Sequence, residues 1–271
     1  MEHFKRVTSA AVILPPLLLF FYYAPAEVFL LFTLALLTLS LWEYFHMLAL
    51  IQVPFYPKVS YAVAASLVLV AYLGGKVWLP SALSGSIMLL TLRALLPSQC
   101  GTQRFSALLH SLFGVVFLGW SLSHLVLLRN FPEGQWYIFF LCLLIWVGDS
   151  VAMYVGQGIG RRKLAPTISP GKTWEGAIGG AAGCILTAIL SAPLLVPHLQ
   201  LWHSVVFGLL ISMAAQVSDL GESLIKRYAG VKDSGELIPG HGGILDRIDS
   251  VLLAAPMLFY AVDSFFHVRV S

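Results

Sequence analysis

Between residues 222 and 249 the chain gathers carboxylates, cations and glycines in a pattern suited to phosphoryl-type transfer. The run SLIKRYAGVKDSGELIPGHGGILDRID, residues 223–249 with Glu222 just ahead, holds nine of the chain's 29 formal charges. Lys226, Arg227, Lys232 and Arg247 are cations that suit phosphate oxygens, while Asp246 and Asp249 are hard oxygen donors of the kind a divalent cation takes. Gly-His-Gly-Gly breaks any helix, so the backbone at Gly242 and Gly243 can approach an anion closely. His241, between these glycines, suits a general base, a phosphate contact or a hydrogen bond that fixes the loop. In a helix leading into this run, Asp219, then Glu222 or Ser223, then Lys226 share one face. Asp246 and Asp249, three apart at the start of the last apolar run, share another.

A second polar stretch precedes it. Arg161, Arg162 and Lys163 are followed by a rigid segment ending Ser169-Pro-Gly-Lys172-Thr173-Trp-Glu. Half of a P-loop is visible here, but the upstream glycine is absent at the required spacing and a Walker A site is excluded. What remains is a loop whose Ser169, Lys172 and Thr173 suit phosphate, opening a helix whose first turn favours anions. Asp149 lies in an apolar run, where an ionisable group is costly and is a functional candidate. Glu43, in Leu-Trp-Glu-Tyr-Phe-His, reads as either an interfacial carboxylate or a functional one.

The elements that must position these residues are membrane helices. The chain is 58% hydrophobic and 11% charged, with 17 Phe, 10 Tyr and 7 Trp in 271 residues, and its mean hydropathy is +0.85. This composition excludes a soluble globular domain and predicts an all-α polytopic membrane protein. Apolar runs fall at about 8–24, 27–47, 59–74, 77–96, 105–128, 135–157, 174–195, 202–220 and 250–267, predicting about nine transmembrane helices. The first is expected to be a retained helix rather than a cleaved leader, because Pro15-Pro16 interrupts it and another span follows at once. With the N-terminus cytoplasmic, thirteen Lys and Arg fall inside and only Lys76, Arg129 and Arg269 outside, a strong positive-inside bias. Both polar stretches, 158–173 and 221–249, are then cytoplasmic. Residues 1–130 form an N-terminal group of about five spans and 131–271 a C-terminal group carrying the polar motifs, read together as one structural domain. Cys100, Cys142 and Cys184 lack any CxxC spacing and indicate neither disulfides nor zinc.

Read without a gap from Ser223 to Asp249, S-x-I-K-R-x4-K-D-x-G-x2-I-P-x-H-G-G-I-x-D-R-I-D resembles the signature of the phosphatidate cytidylyltransferases, the CDP-diacylglycerol synthases. The segment Lys163-Leu-Ala-Pro-x-Ile-Ser-Pro-Gly-Lys-Thr-Trp-Glu-Gly is similar to that family as well. One departure is Met153, where the family usually carries Tyr four residues after the acid equivalent to Asp149. The resemblance implies transfer of CMP from CTP to phosphatidic acid, giving CDP-diacylglycerol and pyrophosphate, with Mg²⁺ as cofactor, either alone or with a second metal or a monovalent cation. It implies catalytic roles for Asp219, Lys226, Asp246 and Arg247, and metal ligation by Asp219, Asp246, Asp249 and Asp149. Substrate contacts would come from Ser169, Lys172, Thr173, Ser223, Arg227, Lys232, His241, Gly242 and Gly243. The expected setting is the inner, cytoplasmic membrane as a multi-pass protein with its site facing the cytoplasm. A homodimer is an expected form, and nucleic acid is not an expected partner. A CTP-dependent polyprenol kinase is the rival enzyme, and would need an activated hydroxyl and a base such as His241. A transporter is the rival from another class, but such folds place broken helices in both halves of the chain, whereas here the polar motifs crowd into 149–249.

Overall fold

The computed structural model describes residues 15–96, 101–237 and 242–266. Helix α1 covers 15–23, followed by α2 (Ala26–Leu50), α3 (Pro57–Leu95), α4 (Gly101–Gly114), a π-helical turn (Val115–Trp120) and α5 (Ser121–Arg129). Helix α6 (Gly134–Ile159), strands β1 (Lys163–Ala165) and β2 (Ser169–Thr173), α7 (Trp174–Leu195), α8 (Leu201–Tyr228) and α9 (Leu245–Phe266) complete the chain. Seven helices among the described residues are long and apolar enough to cross a membrane. A helix satisfies its own backbone hydrogen bonds, and this is why apolar runs of this length fold as helices in lipid.

The chain divides into two compact units. The first comprises Met1–Pro132, Ala229–Arg247 and Val270–Ser271, and the second Glu133–Tyr228 and Ile248–Arg269. The polar run 229–247 thus belongs with the N-terminal helices.

In the first unit α3 is broken at Gly75, whose φ of 60° and ψ of −160° no helix contains. A straight helix of 39 residues would run about 58 Å. Yet the Arg93 guanidinium, near its end, lies 4.7 Å above the ring of Tyr56, which precedes its first residue. Helix α3 therefore doubles back at Gly75, and its two limbs cover the apolar runs at 59–74 and 77–96. The Tyr56 hydroxyl also donates to the Arg104 carbonyl, so Lys58, Arg93 and Arg104, grouped by the charge pattern, lie at one end of this unit. At the other end Arg129 donates to the Ala24 carbonyl at 2.7 Å and the Tyr72 hydroxyl meets Glu27.

The second unit is built on close backbone approach. Gly148, Ala152 and Gly156 of α6 face Gly176, Gly180 and Cys184 of α7, a small-residue seam of the kind that packs helices in lipid. A Cβ on Gly180 would lie 2.9 Å from the Ala152 Cβ and 3.0 Å from the Gly148 carbonyl oxygen. Gly180→Ala is expected to force the two helices apart and to cost about 1–3 kcal/mol, checked by thermal unfolding in detergent. An unchanged midpoint would refute the seam. In the α7–α8 connection His198 is hydrogen bonded to the Tyr137 hydroxyl at 2.7 Å, and burial lowers its pKa below the usual imidazole value.

Candidate active site

Helices α6 and α7 are joined by the antiparallel hairpin β1–β2, which pairs Lys163 with Thr173 and Ala165 with Ser169. The hairpin is anchored to the start of α7. Glu175 accepts from the backbone N–H groups of Arg161 and Arg162 at 3.1 to 3.3 Å. The Thr173 hydroxyl accepts from Gly176 N–H at 3.1 Å, capping α7. Thr173 is buried and expected as a phosphate contact, yet its hydroxyl serves this cap. Side chains alternate along a strand, so Lys172 points away from Thr173 and toward α8.

There the Lys172 ammonium lies 2.7 Å from an Asp219 carboxylate oxygen. One turn on, the Ser223 hydroxyl is 3.4 Å from the other oxygen of Asp219. Lys226 pairs with Glu222 at 2.6 Å, and Glu222 is fully buried. Arg227 donates through Nε to the Ile168 carbonyl at 3.0 Å, holding the hairpin turn on the end of α8. Ser169 is part-buried in β2.

Asp149 of α6, Asp219 of α8 and Asp249 of α9 lie close enough for their charges to act on one another. Lys172 acts on Asp149 and Lys226 on Asp249. Ser250 donates to Asp149 at 3.2 Å and ties α9 to α6. Ser218 of α8 donates to the Asp249 carbonyl and accepts from Leu253 N–H, the two groups a regular helix joins directly. The backbone that carries Asp249 is thereby fastened to the helix that carries Asp219. Four carboxylates, counting Glu222, thus stand with two ammonium groups, a formal excess of two negative charges.

The first unit holds the other half of the signature. Asp246, in the first turn of α9, accepts through Oδ2 from Ser234 N–H at 2.9 Å, the Ser234 hydroxyl at 2.9 Å and Gly243 N–H at 2.8 Å. Asp246, expected as a metal ligand and catalytic residue, therefore also binds its own loop together. Gly242 has φ +79°, and a Cβ there would lie 2.9 Å from Asp246 Oδ2. Expected as anion-binding backbone, Gly242 and Gly243 here make room for a carboxylate. Lys232 and Arg247 are exposed, and His241 lies outside the described residues.

Glu43 and Glu222 were under-read from sequence. Glu43 of α2 is fully buried in the first unit, and its carboxylate accepts from the backbone of Ile244 and Leu245. Its sole sequence signal is a carboxylate inside an apolar run. Glu222 shares the predicted α8 face as the alternative to Ser223, and the structure pairs it with Lys226.

The profile of the Cytidylyltransferase family matches residues 4–265. A phosphatidate cytidylyltransferase of Brucella abortus is 45% identical over 147 residues, covering 54% of this chain and 54% of the relative. One from Bacillus subtilis is 42% identical over 154 residues, 55% of this chain and 56% of that protein. Another, from Rickettsia bellii, is 39% identical over 161 residues, 57% of this chain and 70% of that protein. In the first two matches the chain spans about half the length of the relative. With a profile match running through nearly every helix and both polar stretches, the chain belongs to the Cytidylyltransferase family.

Proposed function

We propose that this chain transfers the cytidylyl group of CTP to phosphatidic acid, giving CDP-diacylglycerol and pyrophosphate, at the cytoplasmic face of the inner membrane. The observation that carries the reading is the second unit's cluster, in which α6, the hairpin, α8 and α9 bring Asp149, Lys172, Asp219, Lys226 and Asp249 into one electrostatic neighbourhood. The names of the relatives point to the same substrates.

The donor set fits Mg²⁺. All the acids are hard oxygen donors, and their formal excess of two negative charges matches one divalent cation. Among the described residues no three His, Cys, Asp or Glu side chains converge at ligation distance. Mg²⁺ is an ion that binds through one or two carboxylates, keeps water and takes substrate phosphates. Asp219 and Asp249 would hold it, with Asp149 nearby. Bound there, Mg²⁺ supplies charge neutralisation to the triphosphate.

In the reaction a phosphate oxygen of phosphatidic acid attacks the α-phosphorus of CTP. A bond from that oxygen to phosphorus forms, the α–β bridging bond breaks, and its electron pair leaves on pyrophosphate. A phosphate monoester has a second pKa of about 6, so the nucleophile is already ionised and no strong base is needed. Two anions must nevertheless approach each other. Lys172 and Lys226 place positive charge beside the acids, and Ser223 offers a hydroxyl on the same face of α8. The rate then rests on positioning and charge neutralisation.

The test is turnover of CTP labelled at the α-phosphate with phosphatidic acid and Mg²⁺. Label is expected in a lipid product, with release of pyrophosphate. Transfer of a γ-label to lipid, or of no label at all, would overturn the proposal.

A further inference from the structure

Glu43 is a carboxylate without exposed surface inside an apolar helix, a placement that costs dearly unless its oxygens are hydrogen bonded. They are, and by residues about 200 positions away. Oε1 accepts from Ile244 N–H at 2.8 Å. Oε2 accepts from Leu245 N–H at 2.7 Å and from the Ser234 hydroxyl at 3.0 Å. The loop is shaped around this group. A Cβ on Gly235 would lie 2.8 Å from Oε1, and one on Gly243 would lie 2.6 Å from both oxygens.

The Ser234 hydroxyl lies between Glu43 and Asp246, 3.0 and 2.9 Å from them. Its single proton can serve one carboxylate at a time. The two acids thus grip the same serine and the same first turn of α9, one from α2 and one from the turn itself. Glu43 also places negative charge at the N-terminus of α9, where the helix dipole favours it. The loop so held carries Lys232 at one end and Asp246 and Arg247 at the other.

We propose that Glu43 is a positioning residue for cytidylyl transfer. It touches no reacting atom but fixes Ser234 and the backbone of Ile244 and Leu245, and so the orientation of Asp246. The inference rests on the activity proposed above. An ordinary buried carboxylate that only stabilises the fold would lower the amount of folded protein and leave each folded molecule as active as before. A positioning residue would lower kcat per folded molecule.

The test uses the full chain in lipid nanodiscs, as wild type, Glu43→Gln, Glu43→Asp and Ser234→Ala. Kinetics are normalised to folded protein, and hydrogen exchange is read at the amides of Gly243, Ile244 and Leu245. For Glu43→Gln, kcat is expected to fall about tenfold or more with KM for CTP changed less than about threefold. Loop exchange should speed up, and Glu43→Asp should recover part of both losses. If Glu43→Gln does not fold, Ser234→Ala, which removes the shared hydroxyl and leaves both carboxylates, should show the same two changes at smaller size. Wild-type exchange rates in a folded variant, or an unchanged kcat per folded molecule, would overturn the inference. Faster loop exchange in the variant of a chain whose wild type transfers no cytidylyl group would sink the activity and still support the pinning of the loop.

Discussion

Asp219→Asn is expected to lower cytidylyl transfer about 1,000-fold, the scale at which removal of one preorganised electrostatic group affects an enzyme. The substitution keeps the shape of the side chain and removes one charge. Three consequences follow from the geometry. Lys172, now 2.7 Å from the carboxylate, loses its charged partner in a partly enclosed site. The Ser223 hydroxyl faces an amide that offers one acceptor oxygen in place of two. The acidic group formed with Asp149 and Asp249 also loses a third of its charge, so the cation proposed to bind there is held more weakly. The Mg²⁺ concentration giving half-maximal rate should therefore rise along with the fall in kcat, and chelation should abolish the remaining turnover. The measurement is initial rate against Mg²⁺ at saturating CTP, for wild type and variant, with thermal unfolding as the control for folding. Activity within about threefold of wild type, on a scale where one such group is worth 100-fold or more, would remove Asp219 from the metal site.

Much of this was legible in sequence because the information was local. Hydrophobic runs announced the helices, and the gap between the runs 59–74 and 77–96 falls at the point where α3 reverses. The α8 face bearing Asp219, Ser223 and Lys226 follows from helical spacing, and the structure adds that Lys226 is paired with buried Glu222. The small-residue seam of α6 and α7 was present as glycines at four-residue spacing, but its meaning depends on which helix lies opposite, and spacing alone does not tell. Thr173 shows how one residue type carries two readings. A threonine after Gly-Lys suits phosphate, and a threonine before Trp-Glu-Gly suits a helix cap; the structure places its hydroxyl on Gly176 N–H.

What sequence could not supply were pairs joined only by folding. Lys172 and Asp219 come together through the hairpin that Arg227 holds against α8. Glu43 is joined to Ser234 and Leu245 across most of the chain, and no short window of residues contains all three. The glycines of the signature looked like an invitation to a phosphate. Their described neighbours are the Glu43 and Asp246 carboxylates and, at Gly243, the Ser234 hydroxyl as well, at distances that admit no Cβ. Backbone freed from side chains can approach any oxygen, and sequence does not say whose.

That ambiguity bears on Asp246, where comparing two substitutions separates anchoring from charge. Asp246→Asn retains an amide oxygen able to accept from Ser234 and Gly243 N–H, so the loop keeps most of its bonds while the negative charge disappears. Asp246→Ala removes both. If Asp246 acts through its charge, both variants should lose activity, Asn by about 100- to 1,000-fold and Ala by at least as much. If it only anchors the loop, Asn should stay close to wild type and Ala alone should fail. We expect the first outcome, because the Ser234 and Gly243 N–H groups, with the Ser234 hydroxyl shared with Glu43, hold this oxygen in a fixed direction, and orientation of charge is the resource this chemistry uses. Hydrogen exchange at Gly243 gives the second axis: near wild type in Asn, faster in Ala. An Asn variant that is both ordered in the loop and fully active would reduce Asp246 to a clasp.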